Sequence, residues 1–159
     1  MTPNGISLVV GGSGFVGLEL VRHLVELNHE VRIFDKNPIG DVYLDSIIDF
    51  HQGDVRDKDA VKRAVAGVSK IYHLAAMVPL TRAGRAFHDV NVGGTSNVVD
   101  AARILGSEHL VHLSSSAIFG IPTEIPIMED TLLDPLGLYG QSKYEGEMVV
   151  RSAIEAGMH

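Results

Sequence analysis

A glycine-rich turn between an apolar strand and an apolar-periodic helix constrains this chain more than any other feature. Residues Ile6 to Val10 form a short apolar run rich in β-branched side chains, which is typical of a buried parallel strand. Glycines follow at positions 11, 12, 14 and 17, and a helical apolar pattern extends from about Gly14 to Leu27. The chain is therefore predicted to begin with a strand–turn–helix unit.

The spacing of these glycines matches that of turns that bind a dinucleotide. They fit two registers, Gly12-x-Gly14-x-x-Gly17 and the wider Gly11-x-x-Gly14-x-x-Gly17. Either register permits a tight turn, a close approach of the backbone to a pyrophosphate, and close packing of the helix on the strand. The anion would lie at the helix N-terminus, where unpaired N–H groups and the positive end of the helix dipole point outward.

An acidic residue stands at the distance from the turn that such a site requires. Asp35 follows a predicted strand over residues 30–34 and lies 21 residues after Gly14. At that spacing a carboxylate accepts hydrogen bonds from the adenosine ribose, and it would favour NAD over NADP by repelling a 2′-phosphate. The alternative is a turn aspartate that ends the strand, because Lys36, Asn37 and Pro38 follow.

Strand and helix patterns alternate along the rest of the chain. Strands are predicted at 47–51, 70–74 and 108–113, and helices at 57–66, 83–105 and 137–156, with Asp57 as an N-cap. The helix over 83–105 is loosened at Gly93 and Gly94, and residues 117–136 form a long loop. This order predicts a three-layer α/β Rossmann fold, with a parallel sheet of order 3-2-1-4-5 and helices on both faces.

Composition excludes several classes of protein. A net charge of −7 argues against a nucleic-acid binder, and the absence of cysteine rules out disulfides and thiolate metal sites. The apolar runs are too short to cross a bilayer, so we expect a cytoplasmic protein that does not bind membranes. His109 and His112 are three apart on a predicted strand and point to opposite faces, so no shared metal site is expected.

One pair of residues on the last predicted helix suggests proton-transfer chemistry. Tyr139 and Lys143 are four apart and share a helix face. A cation beside a phenol favours the phenolate, which suits a general acid or base. Ser115, at the end of a neighbouring strand, is placed to hydrogen-bond the oxygen that gains or loses the proton. The spacing alone favours the alternative that Tyr139 merely packs and Lys143 is a solvated surface charge, because a tyrosine and a lysine four apart are common by chance.

Three further polar residues have two interpretations each. His73 lies at a predicted strand end, where a packing role or a place in the wall of the cleft is favoured over catalysis. Asp54 either bonds an amide donor of the ligand or turns the chain. Asn91 is a poor helix former in the middle of a predicted helix, so it either bonds a neighbouring segment or faces solvent.

Taken in order, these motifs resemble those of the extended short-chain dehydrogenases/reductases, the NAD-dependent epimerases and dehydratases that act on nucleotide sugars. The resemblance runs from about Ile6 to Met158 and includes Asn91-Val92-x-Gly94-Thr95 and Tyr139-x-x-x-Lys143. It implies that Ser115, Tyr139 and Lys143 are catalytic, with the tyrosine as acid/base and the lysine also bonding the nicotinamide ribose. The cofactor-binding residues that it implies are Gly11, Gly14, Phe15, Val16, Gly17, Asp35, Asp54, Val55, Leu74, Ala75, Ala76, Asn91, Tyr139 and Lys143.

The resemblance also implies what such a chain binds. NAD is the expected cofactor and a nucleotide sugar the expected substrate. A hydroxysteroid or another small alcohol is the alternative substrate, and a non-catalytic NAD-binding module is the alternative function. Two departures, Val10 for a frequent threonine and Phe119 for a frequent tyrosine, do not touch the catalytic residues.

Members of this family continue well beyond the position at which this chain stops. We therefore expect residues 1–159 to form an NAD-binding domain truncated before a C-terminal substrate domain, and to bind NAD with little or no turnover by themselves. An open sheet edge beside the fifth strand and an uncovered face would then favour self-association, so a homodimer or a larger species is expected.

Overall fold

The computed structural model describes residues 5–79 and 83–158 of the protein. Within these ranges, five strands form one sheet: β1 Ile6–Val10, β2 Glu30–Asp35, β3 Asp49–Gln52, β4 Val68–His73 and β5 His109–His112. The helices are α1 Phe15–Glu26, α2 Val42–Ile47, α3 Lys58–Val65, α4 Ala86–His88, α5 Thr95–Leu105 and α6 Gly137–Glu155. A π-helical segment, Asp89–Gly94, joins α4 to α5, and a 3₁₀ turn, Ser116–Phe119, follows β5.

The sheet has the predicted topology. Its strands are all parallel, in the order β3-β2-β1-β4-β5. Val10, the last residue of β1, is in register with Phe34 of β2 and His73 of β4. The carboxyl ends of the three central strands therefore lie side by side, at the edge of an open α/β sheet where ligands bind.

Two apolar cores explain why β1 is almost uniformly apolar. Leu8 and Val10 face a core built with α3 and α5, whereas Val9 faces a second core built with α1 and α2. A strand that is buried on both faces cannot alternate apolar with polar residues. Helix α6 packs beside α5 through Gly146, which lies against the backbone of Asn91, and this completes the third layer of the predicted architecture.

Several element boundaries differ from the prediction. The third strand, expected at 47–51, is Asp49–Gln52, because residues 42–47 form the short helix α2. Asp41 caps that helix by accepting hydrogen bonds from the amides of Tyr43 and Leu44. The fourth strand begins at Val68, two residues earlier than predicted, and the loop after β5 opens with the 3₁₀ turn. Asp57 caps α3 as predicted, accepting from two backbone amides.

Strand β5 is an edge of the sheet and carries exposed apolar side chains. Val111 is 53% exposed and Leu113, just after the strand, is 45% exposed. His109 on the same strand is exposed, whereas the His112 ring packs against His73, so the two histidines point to opposite faces as predicted. Across residues 5–79 and 83–158, none of the helices has the length and apolar character that a membrane span requires.

Candidate active site

A cleft of about 240 Å³ lies across the carboxyl ends of β1, β2 and β4. Glycines of the turn, polar residues after β2 and β3, and small residues after β4 surround it. Its lining consists of Gly11, Gly14, Phe34, Asp35, Lys36, Asn37, Gly53, Asp54, Val55, Arg56, Leu74, Ala75, Ala76, Met77 and Val90. The cleft is therefore located where the sequence places a dinucleotide.

Two glycines of the turn cannot be replaced without displacing backbone. Gly11 has a φ of +86°, and a Cβ there would lie 2.6 Å from the amide nitrogen of Ala75. A Cβ on Gly17 would lie 2.3 Å from the carbonyl oxygen of Gly11. Gly11 thus brings the turn against the end of β4, and Gly17 brings α1 against the turn. The backbone beside the cleft is held in the tight path that a pyrophosphate site needs.

Asp35 both ends its strand and lines the cleft. One carboxylate oxygen accepts from the amide of Ser13 at 3.1 Å, and the other accepts from the amide of Asn37 at 2.9 Å. These bonds tie the glycine turn to the end of β2. Each oxygen keeps a further lone pair, because an ionised carboxylate accepts about four hydrogen bonds. Asp35 can therefore both end the strand and bind the cofactor, because its carboxylate can still accept a hydrogen bond from a ribose hydroxyl.

Asp54 turns the chain and forms an ion pair. Its carboxylate accepts from the backbone amide of Arg56 at 2.9 Å and from the guanidinium of the same residue at 2.6 and 2.9 Å. The hydrogen bond from the Arg56 side chain lowers the pKa of Asp54. Arg56, which the sequence analysis did not single out, thus adds a cation to the lining of the cleft.

Asn91 joins three segments around the end of the cleft. Its side chain is buried, and it accepts from the Met77 amide at 2.7 Å and donates to the Met77 carbonyl at 3.1 Å. It also donates to the Ser142 hydroxyl at 2.9 Å, which in turn donates to the Tyr139 carbonyl at 2.8 Å. Asn91 therefore bonds neighbouring segments and does not face solvent. Its π-helical segment is a departure from α-helix of the kind found at functional sites.

Lys143 is a buried cation and not a solvated surface charge. Only 4% of its surface is exposed, and its ammonium group donates to the Leu113 carbonyl at 2.7 Å. Burial lowers the pKa of Lys143, and the charge of Glu147 partly opposes that shift. The Tyr139 ring packs edge-on against Phe87, with ring centroids 6.0 Å apart. Tyr139 and Lys143 thus share the part of α6 that packs on the rest of the domain.

Ser115 lies on a segment that packs against the first turn of α6. Its hydroxyl accepts from the Ala117 amide at 3.2 Å and caps the 3₁₀ turn. The approach is close, because a Cβ on Gly140 would lie 2.9 Å from the Ala117 carbonyl oxygen. Together with the bond from Lys143 to Leu113, this contact brings the segments that carry the three predicted catalytic residues against each other.

Two histidines, the buried His73 and the half-buried His112, lie beneath these segments. The ring centroids of His73 and His112 are 5.3 Å apart. Thr95 donates its hydroxyl hydrogen to the Asn91 carbonyl, so it accepts from Nε2 of His73 at 2.9 Å, and this assigns the His73 tautomer. Burial, followed by neighbouring positive charge, lowers the pKa of His73 to about 3 and that of His112 to about 4. His73 therefore has a packing role and carries no charge near neutral pH.

The predicted cofactor residues divide into two groups. Gly11, Gly14, Asp35, Asp54, Val55, Leu74, Ala75 and Ala76 line the cleft. Phe15, Val16, Gly17, Asn91, Tyr139 and Lys143 do not; Gly17 packs behind the turn, and Phe15 is 89% exposed at the start of α1. Phe34, Lys36, Asn37, Gly53, Arg56, Met77 and Val90 also line the cleft and were not predicted. Most of these directly flank a predicted residue, so extending each motif along its loop would have found them.

The arrangement fits an adenine dinucleotide. Gly11 and Gly14 line the cleft without side chains, and α1 begins at that turn. Asp35 faces the cleft at the end of β2. In the part of the chain that the structure describes, no cluster of three or more histidine or acidic side chains is arranged to hold a metal ion. The fold and the cleft thus define a dinucleotide-binding domain of the Rossmann type.

Comparison with known proteins identifies the family to which this domain belongs. The chain belongs to the NAD-dependent epimerase/dehydratase family, whose sequence model matches residues 7–159. It is 33% identical over 155 residues to a UDP-glucose 4-epimerase from Lactobacillus helveticus, with 94% of this chain and 47% of that protein covered. It is 35% identical over 130 residues to a 3β-hydroxysteroid dehydrogenase/Δ5→4-isomerase from Mycobacterium tuberculosis, with 74% and 33% covered.

A solved structure shows the same fold. A short-chain dehydrogenase/reductase superfamily protein from Agrobacterium tumefaciens, crystallised with bound NAD, superposes with a TM-score of 0.85. The two chains are 34% identical, and the match covers 92% of this chain and 44% of that one. The chain thus spans between a third and a half of the length of the relatives described here.

Proposed function

We propose that the protein binds NAD in the cleft and that its Ser115, Tyr139 and Lys143 serve oxidation and reduction at a substrate carbinol. The observation that carries the proposal is the cleft itself, in which Gly11 and Asp35 lie together at the carboxyl ends of β1 and β2. NAD bound there would supply the hydride acceptor and donor of such a reaction. Membership of an NAD-dependent family supports the same cofactor.

The roles of the three polar residues follow from their chemistry. Tyr139 takes the proton of the substrate hydroxyl and returns it in the reverse direction, as a general base and acid. Ser115 hydrogen-bonds the oxygen that loses or gains this proton. Lys143 donates one N–H to the Leu113 carbonyl, so its ammonium group has two further N–H donors, which can bind a ribose hydroxyl.

A nucleotide sugar is the substrate class that we propose. The support is the similarity to a UDP-glucose 4-epimerase, which extends over nearly the whole of this chain. A hydroxysteroid or another small alcohol is a second candidate, because the similarity to a hydroxysteroid dehydrogenase is as high where the two sequences align.

An activity assay with both substrate classes tests this proposal. The protein is incubated with NAD and either UDP-glucose or a 3β-hydroxysteroid, and the change in nicotinamide absorbance and the sugar or steroid products are measured. In the full-length protein we expect epimerised sugar, and a loss of about 100-fold or more in turnover for Tyr139→Phe, because a positioned acid/base contributes at least that much.

The matched control is Tyr144→Phe on the same helix, which should retain wild-type turnover. A protein that binds NAD but turns over neither class of substrate would favour a non-catalytic NAD-binding module. Oxidation of the steroid alone would favour a hydroxysteroid or another small alcohol as the substrate class.

A further inference from the structure

Glu147 is a half-buried carboxylate close to the candidate active site. It lies on α6, four residues after Lys143, and its side chain is only 15% exposed. One of its oxygens accepts from the Ser114 hydroxyl at 2.5 Å. The other accepts from the guanidinium of Arg151 at 2.7 and 2.9 Å. A hydroxyl donating to a carboxylate at this distance forms a strong, charge-assisted hydrogen bond.

Ser114, which donates to Glu147, lies between Leu113 and Ser115. Ser114 follows Leu113, whose carbonyl accepts from Lys143, and precedes Ser115. Two consecutive residues after β5 are therefore bonded to positions four apart on one face of α6. The contact from Lys143 reaches backbone, whereas the contact from Glu147 reaches a side chain. Together they fix the distance and the rotation of this segment relative to the helix.

We propose that Glu147 is a positioning residue, which holds Ser114 so that Ser115 keeps a fixed place relative to Tyr139 and Lys143. The inference rests on the proposed function for its catalytic meaning, but the contact itself is a property of the folded domain. A purely structural ion pair with Arg151, four residues apart on a helix surface, would contribute little to stability. Such an ion pair would not account for the hydrogen bond between Ser114 and Glu147.

The charge of Glu147 also acts on Lys143. Burial by itself would raise the pKa of Glu147, but the hydrogen bonds from Ser114 and Arg151 and the charge of Arg151 outweigh it and lower that pKa. Glu147 is therefore ionised near neutral pH, and its charge raises the pKa of Lys143 against the effect of burial.

The other ionisable groups around this site belong to three elements. His73 of β4 and His112 of β5 are uncharged near neutral pH, because burial lowers their pKa values to about 3 and about 4. Glu129 and Asp130 of the loop before α6 line the same groove as Glu147. Glu147, however, is the carboxylate whose charge opposes the effect of burial on the Lys143 ammonium. Neutralising Glu147 should consequently lower the pKa of Lys143.

Two substitutions separate the charge of Glu147 from its hydrogen bond. Glu147→Gln keeps an acceptor for Ser114 and removes the charge, whereas Ser114→Ala removes the hydroxyl and keeps the charge. Ser114→Thr restores a hydroxyl and should rescue Ser114→Ala. Glu145→Gln is the matched control, because Glu145 is exposed on the same helix and pairs with His88 at 3.5 Å.

The first readout needs no substrate. The side-chain amine of Lys143 is titrated by NMR in the wild type and in both glutamine variants. We expect its midpoint to move to lower pH in Glu147→Gln and to stay at the wild-type value in Glu145→Gln. Hydrogen exchange of the Ser115 amide should be faster in Ser114→Ala than in the wild type, because the segment has lost one of its contacts with α6, and it should be normal in Ser114→Thr.

The second readout is turnover with the substrate found for the proposed function. Ser114→Ala should lower kcat about tenfold, the effect of one hydrogen bond, with little change in the affinity for NAD, whereas Glu147→Gln, which keeps the acceptor, should lower kcat less. Wild-type values for Lys143 titration, Ser115 exchange and kcat in these two variants would overturn the proposal. If no substrate is turned over, the proposed function fails, and the positioning role is then decided by the Lys143 and Ser115 measurements alone.

Discussion

Lys143 is the residue at which burial and chemistry oppose each other most strongly. Removing an ammonium group from water is costly unless it is paired or hydrogen-bonded, and among the described residues Lys143 donates one hydrogen bond, to the Leu113 carbonyl. A buried cation that nearby residues only partly satisfy is a feature expected of a functional site. We interpret its remaining N–H groups as donors for a ligand.

This interpretation predicts different effects for the two residues of the pair on α6. Lys143→Met, which keeps the length of the side chain, should weaken NAD binding about tenfold or more, because a charged donor to the ribose is lost. Tyr139→Phe should leave NAD affinity within about twofold, because its proposed role is proton transfer. Calorimetric titration with NAD measures both. Equal affinities in the two variants would show that this division of roles is wrong.

His73 and His112 make the stability of the domain depend on pH. Their pKa values in the folded protein, about 3 and about 4, lie below the ordinary value of 6.5. As the pH falls below about 6.5, the unfolded chain takes up protons that the folded chain cannot take up. The free energy of unfolding therefore decreases as the pH decreases below about 6.5, by up to about 1.4 kcal/mol per pH unit for each histidine.

A pair of variants on β5 isolates this contribution. His112→Gln should reduce the slope of unfolding free energy against pH between about pH 5 and pH 6.5, before most carboxylates titrate. His109→Gln, at an exposed position of the same strand, should leave the slope unchanged. Urea unfolding at several pH values measures both slopes. A slope that is the same in His112→Gln as in the wild type would contradict the assignment of His112 as a half-buried histidine that stays neutral in the folded protein.

At the level of elements, the glycine turn and α1 depend on one close contact. A Cβ on Gly17 would lie 2.3 Å from the Gly11 carbonyl oxygen, whereas a Cβ on Gly40 would meet no atom within 4 Å. We expect Gly17→Ala to lower the free energy of unfolding by about 1–3 kcal/mol, the usual cost of overpacking, and to weaken NAD binding. Gly40→Ala should be neutral or slightly stabilising. Urea unfolding and NAD titration check both variants. Equal unfolding free energies and equal NAD affinities in the two variants would argue against a close-packed turn.

The elements that the sequence predicts well have strong local signals. Strand β1 is apolar on both faces because it lies between two cores, and Asp57 caps α3 because its side chain accepts backbone amides. Helix α2 was not resolved from its loop, because six residues are too few to show a helical period. The third strand was consequently placed too early.

The parts of the site that escaped prediction depend on tertiary contacts. The bonds from Asn91 to Met77 and Ser142 span 14 and 51 residues, so no local pattern reveals them. The bond between Ser114 and Glu147 spans 33 residues, and the pairing of Glu147 with Arg151 reads in sequence as an ordinary helix-surface pair. Arg56 was missed although it directly follows the predicted Asp54 and Val55, because its role comes from folding back onto Asp54.

At the scale of the whole molecule, the sheet ends in an edge strand with exposed apolar side chains. Unpaired strand edges and apolar surface favour association between chains. We predict that the protein forms a dimer or a larger species in solution, and that Val111→Lys on β5 shifts it toward monomer. Val42→Lys, at an exposed apolar position on α2, is the control and should not do so. Sedimentation at several concentrations measures this, and a wild-type protein that is monomeric throughout would contradict the prediction.

The most direct test of the account is a calorimetric titration of the protein with NAD and NADP. The cleft, the glycine turn and Asp35 predict that one NAD binds per chain, more tightly than NADP, because a carboxylate accepts from a 2′-hydroxyl and repels a 2′-phosphate. Asp35→Ala should narrow the difference between the two cofactors, whereas Lys36→Ala should widen it. No binding of NAD, or tighter binding of NADP by the wild type, would contradict the central claim.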